Sequence, residues 1–269
     1  MSEFVRQNSS VSNFNSSNSW VILSSIEKSI KSKIEKVGIP LKDWNINIYR
    51  GVLTGFNDAF IISGEKRQEI LNNCRNEDER KRTDDLIRPI LRGRDIKRYS
   101  YEYADLYLIA TFPSKHYDIE KYPAVKEYLL TFGMERLEQT GKEYTVNGEK
   151  IKARKKTNNK WFETQDSISY WDEFNKPKIV YPDIMRLPRD KSKMSKYPYF
   201  YYDEKGFLPE ATLFLMTGNK VKQVFEFLCS EIGFFVFSRF YMGPVFDSTG
   251  FRYKKEYLEV LPIPRIERL

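Results

Sequence analysis

Short strand-like runs and helix-like runs follow one another along this chain in an irregular order. "NINIYR", "AFIIS" and "LYLIATF" are β-branched and aromatic runs of strand length. "EKRQEILNNC" and "YPAVKEYLLTFGMERLEQTG" show helical patterns instead. A regular alternation of strands and helices would favour a doubly wound parallel sheet. The irregular order favours an α+β fold, with a mixed sheet and packed helices.

The two ends of the chain show different patterns. Residues 7–19 are polar and of low complexity, so we expect residues 1–19 to form a flexible arm or linker. Isoleucines then recur every four residues, at positions 22, 26, 30 and 34, and predict one apolar helical stripe. Residues 176–184 and "YPYFYYDE" indicate strands, and residues 220–237 indicate an apolar helix. The C-terminal "YLEVLPIP" is strand-like.

The charge and the reactive side chains limit the function. The chain has 45 Lys and Arg against 37 Asp and Glu, with 18 Tyr and 19 Phe, a balance that favours a nucleic-acid partner. Its single histidine, His116, disfavours catalytic triads, and the absence of a Cys/His cluster disfavours a metal site. Without a signal sequence or a long apolar run, we expect a cytoplasmic protein that does not enter a membrane.

The stretch "GVLTGFNDAFIIS", residues 51–63, has the glycine content of a phosphate-binding loop. A P-loop requires Lys and then Ser or Thr after its last glycine, whereas Phe56 follows Gly55 here. A dinucleotide fingerprint opens a helix, and this stretch leads into a strand-like run. We therefore interpret the glycines as turn residues with positive φ, and Asn57 as a residue that tolerates a left-handed turn.

Three residues could instead form a magnesium-dependent nuclease site. Such sites combine an Asp on one strand with (D/E)xK on the next. Asp183 in "YPDI" and Asp203 with Lys205 in "YYDEK" follow that order. Short patterns of this kind arise readily by chance, so strand-end and turn roles are the simpler interpretation. A stand-alone Mg-dependent nuclease is the alternative function. A DNA methyltransferase would need a tetrapeptide with two adjacent prolines, and the sequence contains no such pair.

Two basic clusters are candidates for phosphate and base contacts. The first contains Arg88, Arg92, Arg94, Lys97 and Arg98, and the second contains Lys152, Arg154, Lys155, Lys156 and Lys160. Arg88 and Arg92 have the spacing of one face of a short helix. Arg can bond guanine bidentately, while Lys mainly neutralises phosphate. A solvated surface, or an RNA-binding or protein-interaction module, is the other interpretation.

Several segments resemble one family in the same order along the chain. "GVLTGFNDAFII" is similar to the signature of the TaqI-like C-terminal specificity domain, the target-recognition domain of type IIG restriction-modification enzymes. "LKDWNINIYRG", "IRPILRGRDIKRY", "YPAVKEYLL", "KWFETQDSISYWDEFNKPKIVYPDI" and "LEVLPIP" are similar to further family segments. The resemblance covers most of residues 20–264. It implies a target-recognition domain over residues 20–269, which could divide into two sub-lobes near residues 142–160.

The resemblance implies sequence-specific recognition of double-stranded DNA. In that family the domain serves an adenine-N6 methyltransferase domain, and usually a nuclease domain lies further upstream. This chain has neither, so we expect it to bind no cofactor and to catalyse nothing alone. S-adenosylmethionine and Mg are expected on partner domains or subunits. The loops around residues 50–57, 92–98 and 152–160 would form the DNA face. Its expected contacts are Arg50, Thr54, Asn57, Arg92, Arg94, Lys97, Arg98, Lys152, Arg154, Lys155, Lys156 and Lys160.

Overall fold

Two four-stranded sheets form the framework of the chain. The structure, a computed structural model, describes residues 23–190, 192, 197–242 and 250–265. The strands are β1 (Gly38–Pro40), β2 (Ile46–Arg50), β3 (Ile61–Ser63), β4 (Ile87–Leu91), β5 (Leu106–Ile109), β6 (Glu143–Val146), β7 (Glu149–Lys152), β8 (Lys178–Pro182), β9 (Ile184–Arg186), β10 (Tyr201–Asp203), β11 (Leu208–Pro209), β12 (Leu213–Gly218), β13 (Gly250–Arg252) and β14 (Pro262–Pro264). The central sheet has the order β10-β8-β12-β2 and is antiparallel. The second sheet has the order β11-β4-β5-β3, in which β11 and β4 are parallel and the other neighbouring strands are antiparallel. The predicted α+β fold with a mixed sheet is therefore confirmed.

The helices pack around these sheets. They are α1 (Ser25–Val37), α2 (Asn57–Phe60), α3 (Gly64–Asn72), α4 (Glu77–Leu86), α5 (Pro123–Leu130), α6 (Met134–Leu137), α7 (Val221–Cys229), α8 (Glu231–Val236) and α9 (Lys255–Glu259). None of the helices in the described part of the chain is long and apolar enough to cross a membrane. Residues 1–19, the predicted arm, lie outside the described residues.

The central sheet is covered on both faces. Every residue of β8 is buried. Ile179 and Tyr181 contact a core with α7 and α8, whereas Val180 contributes to a smaller cluster on the other face. On β12, Met216 belongs to the first core and Leu215 to a second core around the other sheet. Because side chains alternate between the faces of a strand, one rigid sheet is shared by both cores. The two sub-lobes stay a prediction.

The isoleucine stripe of α1 is only partly buried. Ser24 and Glu27 form a capping box that begins the helix, and the Gly38 N–H bonds the Ile34 carbonyl at its end. Ile30 and Ile34 pack against the first core, but Ile26 is 71% exposed. A four-residue step advances about 40° beyond a full turn, so residues at this spacing drift off one face.

The predicted short helix that carries Arg88 and Arg92 is wrong. Residues 87–91 form β4, whose Ile87, Ile90 and Leu91 are buried. Arg88 donates to Asn175 Oδ1 at 3.0 Å and so helps to hold the fold. β-branched residues and a proline favour an extended backbone here over a helical one.

Other boundaries also differ from the sequence patterns. The predicted helix over residues 220–237 is divided at Ser230, whose hydroxyl accepts from the Gly233 N–H and caps α8. The strand-like C-terminal run instead forms α9 followed by β14. Leu258 and Leu261 are buried at a three-residue spacing, and this spacing suits a helical turn.

Candidate functional site

A large cleft opens at one end of the central sheet. β2 and β8 end there and β12 begins there, because Arg50 pairs with Phe214 and Pro182 pairs with Leu213. The turn before β12, the loop after β4 and the start of α9 complete the walls. The cleft has a volume of about 2070 Å³. The floor of the cleft is therefore the end of the central sheet, which packs against both hydrophobic cores.

Cations dominate the lining of this cleft. The lining cations are Arg50, Arg92, Arg94, Lys97, Arg98, Arg186, Arg189, Arg252, Lys254 and Lys255. The lining carboxylates are Glu102, Asp183, Glu210 and Glu256. Each of these carboxylates already has a partner in the protein. Glu102 pairs with Lys97, Asp183 with Arg252 and Glu256 with Lys254, and Glu210 accepts a hydrogen bond from the Thr212 N–H. The remaining cations give the cleft a positive potential that would attract a polyanion.

The loop after β4 holds Arg94 at the edge of the cleft. Asp95 is buried and accepts three hydrogen bonds from Arg92, two of them from the guanidinium at 2.9 and 3.0 Å. These hydrogen bonds raise the pKa of Arg92. The Gly93 N–H also bonds Thr212 Oγ1 at 3.2 Å. Arg94 is exposed, and its side chain has no polar partner among the described residues. The loop is therefore rigid while the Arg94 side chain stays available.

Residues 51–57 connect the cleft to the second core. Gly51 has no room for a side chain, because a Cβ atom there would lie 2.2 Å from the Glu210 carbonyl oxygen. Gly55 has the predicted positive φ, 77°, whereas the same prediction for Gly51 is wrong. Asn57 begins α2 and is not in the left-handed region, so that part of the sequence interpretation is wrong. The glycines serve close packing and a turn.

Thr54 and Asn57 form a hydrogen-bonded pair at the base of this turn. Thr54 is fully buried, donates to Asn57 Oδ1 at 2.6 Å and accepts from the Phe56 N–H at 3.1 Å. Thr54 therefore cannot contact DNA directly, contrary to the sequence prediction. Asn57 is exposed and lines the cleft together with Arg50.

The second basic cluster does not line the cleft. Lys152, Lys155, Lys156 and Lys160 are exposed on or after the β6–β7 hairpin. Burial raises the pKa of Asp166, while Arg50 and Lys155 both act to lower it. Lys155 and Arg50 therefore both lie within electrostatic range of the Asp166 carboxylate.

Arg154 is the exception in that cluster, because it is only 4% exposed. Its guanidinium donates to the carbonyl oxygens of Leu137, Thr54, Glu163 and Trp161 at 2.6–3.0 Å. Burial lowers its pKa to about 10. Its prediction as a DNA contact is wrong, since the side chain joins four backbone segments inside the fold.

The predicted nuclease residues are not brought together. Asp203 pairs with Lys178 at the start of β8, whereas Asp183 follows the end of that strand. The five intervening steps separate them by about 16 Å, far beyond a shared metal ion. The Lys205 Nζ atom donates to the Tyr101 hydroxyl. Among the described residues, no group of three or more His, Cys, Asp or Glu side chains has the proximity of metal ligands.

Several cleft cations were missed by the sequence reasoning. They are Arg186, Arg189, Arg252, Lys254 and Lys255. β9 pairs with β13 and brings residues 186 and 252 to the same wall. The run "RYKK" at residues 252–255 was a signal that could have been used.

Comparisons with known proteins give one family. A family model described as the TaqI-like C-terminal specificity domain matches residues 88–263, which include most of the cleft loops. No curated protein matches significantly. Among solved structures, the chain is similar to the type IIG restriction endonuclease BpuSI, with 11% identity and a TM-score of 0.49. That match covers 88% of this chain and 26% of the endonuclease, so the chain spans about a quarter of the length of that protein.

Proposed function

Because the chain belongs to the TaqI-like C-terminal specificity domain family, we propose that it recognises a specific sequence in double-stranded DNA through the cationic cleft. In this proposal it is the specificity domain or subunit of a type II, IIG-like, restriction-modification system. It directs an adenine-N6 methyltransferase, with an endonuclease, supplied by other domains or subunits. Those partners hold S-adenosylmethionine and Mg, and this chain binds neither.

The charge of the cleft is the observation that carries the proposal. Among the described residues, the cleft combines ten cations with four carboxylates that already have partners, and it is built on the end of a rigid sheet. Cations that neutralise phosphates release condensed counterions and supply most of the affinity for any DNA sequence. Side chains fixed relative to that backbone contact can then distinguish base edges.

The cleft cations are expected to set the salt dependence of DNA binding. The triple variant Arg94→Ala, Arg189→Ala and Lys255→Ala should bind a mixed-sequence duplex on the order of 10- to 100-fold more weakly at low salt. The slope of log K against log salt should become shallower by about one for each phosphate that the variant no longer neutralises. Fluorescence anisotropy titrations at several salt concentrations measure both quantities.

A matched control removes the same charge elsewhere. Lys33, Lys36 and Lys222 are exposed and do not line the cleft, so their triple alanine variant should keep the wild-type slope. Equal losses in the two triple variants would mean that net charge alone drives binding, and the proposed cleft would be rejected.

The purified chain with Mg²⁺ is expected to leave plasmid DNA intact. Asp183 is held by Arg252 and Asp203 is buried with Lys178, so the carboxylates cannot share a magnesium ion. Gel electrophoresis after prolonged incubation checks this expectation. Cleavage that disappears in the Asp183→Ala variant would instead support the alternative nuclease function.

A further inference from the structure

We propose that Arg50 and Asn57 read base edges, Arg50 with its two terminal nitrogens and Asn57 with its NH₂ group. Arg50 would select guanine, and Asn57 would discriminate against cytosine, the one base without an acceptor in the major groove. This inference rests on the proposed function and deepens it, because it separates the residues that read sequence from those that only hold phosphate.

Both residues come from one rigid stretch of backbone. Arg50 ends β2, where its carbonyl oxygen accepts from the Tyr170 hydroxyl at 2.8 Å. The next residue, Gly51, donates its N–H to the Leu213 carbonyl at 2.8 Å. Asn57 begins α2 only a few residues later and lines the same cleft. Side chains that discriminate between bases need such fixed starting points.

The Arg50 guanidinium is oriented by one bond to the protein. Its Nε atom donates to the Ala211 carbonyl at 3.1 Å. The two terminal nitrogens, Nη1 and Nη2, have no partner among the described residues. A guanidinium whose terminal edge is free and whose plane is fixed matches the O6 and N7 acceptors of guanine.

The Asn57 amide is oriented by Thr54. The Thr54 hydroxyl is buried and accepts from the Phe56 N–H, so its single proton needs an acceptor. Asn57 Oδ1, at 2.6 Å, is that acceptor. This bond orients the amide with its oxygen towards Thr54, and the NH₂ group remains for the cleft. The bidentate contact to adenine needs both the oxygen and the nitrogen, so Thr54 competes with adenine for that oxygen.

Four other cleft cations differ from Arg50 in how their side chains are held. Arg92 uses Nε and Nη2 on Asp95, and Lys97 bonds the Arg94 carbonyl at 2.7 Å. The Arg98 Nη2 atom donates to the Cys229 carbonyl at 2.7 Å. Arg94 has the opposite character, since its exposed side chain has nothing among the described residues to fix it. A mobile cation of that kind suits phosphate contact, which carries no base information.

Selection of binding sites from a random duplex library tests the assignment. The wild-type chain should yield a site with a guanine preferred about 5- to 150-fold at one position. Arg50→Ala should lose that preference while its affinity for a mixed-sequence duplex falls less than about threefold. Asn57→Ala should lose the preference at a different position.

Thr54 supplies the matched pair of variants. Thr54→Val frees the Asn57 oxygen and should raise adenine above guanine and thymine at the Asn57 position, whereas Thr54→Ser should keep the wild-type preference. Circular dichroism confirms that each variant is folded. If Thr54→Val does not fold, the position-specific loss in Asn57→Ala decides the matter.

The possible outcomes separate this inference from the proposed function. If Arg50→Ala weakens binding to every sequence equally, Arg50 is a phosphate contact and the base-reading assignment is overturned, while DNA recognition stands. Unchanged preferences in Asn57→Ala would overturn the assignment of Asn57 in the same way. If the wild-type chain binds no duplex or selects no sequence, the proposed function itself fails.

Discussion

The Asp203→Ala variant is expected to lose about 3–5 kcal/mol of the free energy of unfolding. Asp203 and Lys178 are both fully buried, and their Oδ2 and Nζ atoms are 2.5 Å apart. Asp203 also accepts from the backbone N–H groups of Lys205 and Phe207 at 2.8 and 3.0 Å. The substitution leaves a cation in the interior without its counterion and two N–H groups without an acceptor. Urea denaturation measures the loss.

The pH dependence of this loss identifies its cause. Burial already lowers the pKa of Lys178, and removal of the adjacent carboxylate lowers it further. Lys178 in the folded variant then binds fewer protons than in the unfolded chain, so stability rises with pH. Between the pKa of Lys178 in the folded variant and its pKa in the folded wild type, the destabilisation should shrink by about 1.4 kcal/mol for each pH unit. A loss that is independent of pH would contradict a buried, unpaired lysine as the cause.

A double-mutant cycle isolates the pair. Lys178→Met alone leaves a buried carboxylate, whereas the double variant with Asp203→Ala leaves no buried charge at this site. The sum of the stability losses in the two single variants should therefore exceed the loss in the double variant. Lys176 is a suitable control, because it pairs with Glu173 at the surface. Lys176→Met should leave the denaturation midpoint nearly unchanged.

The sequence predicted those parts of the fold and site that depend on local pattern. Strand-like runs around the glycine stretch became β2 and β3, and the basic residues from Arg92 to Arg98 line the cleft together. These predictions succeeded because residues that are close in sequence also lie close together in the fold. In contrast, α4 was not predicted, because it is highly charged and lacks a clear apolar period. Its start depends on Asn76, whose side chain accepts from the Glu79 N–H.

Contacts between segments that are distant in sequence could not be predicted from local sequence patterns. Arg186 and Arg252 share a wall only because β9 pairs with β13. The order of Asp183, Asp203 and Lys205 suggested a nuclease site, but antiparallel pairing places the two aspartates at opposite ends of β8. A motif of three residues specifies an order along the chain, whereas catalysis would need a distance, which only the sheet topology determines.

The Arg154→Met variant is expected to lose about 4 kcal/mol or more of the free energy of unfolding. Methionine keeps much of the packing volume but donates no hydrogen bonds, so four backbone carbonyl oxygens in the interior lose a charged donor. Hydrogen bonds to a charged group contribute about 1.5–3 kcal/mol each, and their losses are not additive. Arg154→Lys should lose less, because an ammonium group can still reach some of these carbonyls.

DNA binding by the same variant separates an internal role from a surface role. Arg154 has no exposed guanidinium to offer a phosphate, so the folded Arg154→Met protein at low temperature should keep the wild-type salt slope. Lys155→Met at the adjacent, exposed position is the control, and it should keep the wild-type stability. Normal stability in Arg154→Met, combined with a salt slope shallower by about one, would identify Arg154 as a phosphate contact. That result would contradict the buried arrangement and restore the prediction from the sequence, in which a run of cations lies on one DNA-facing loop.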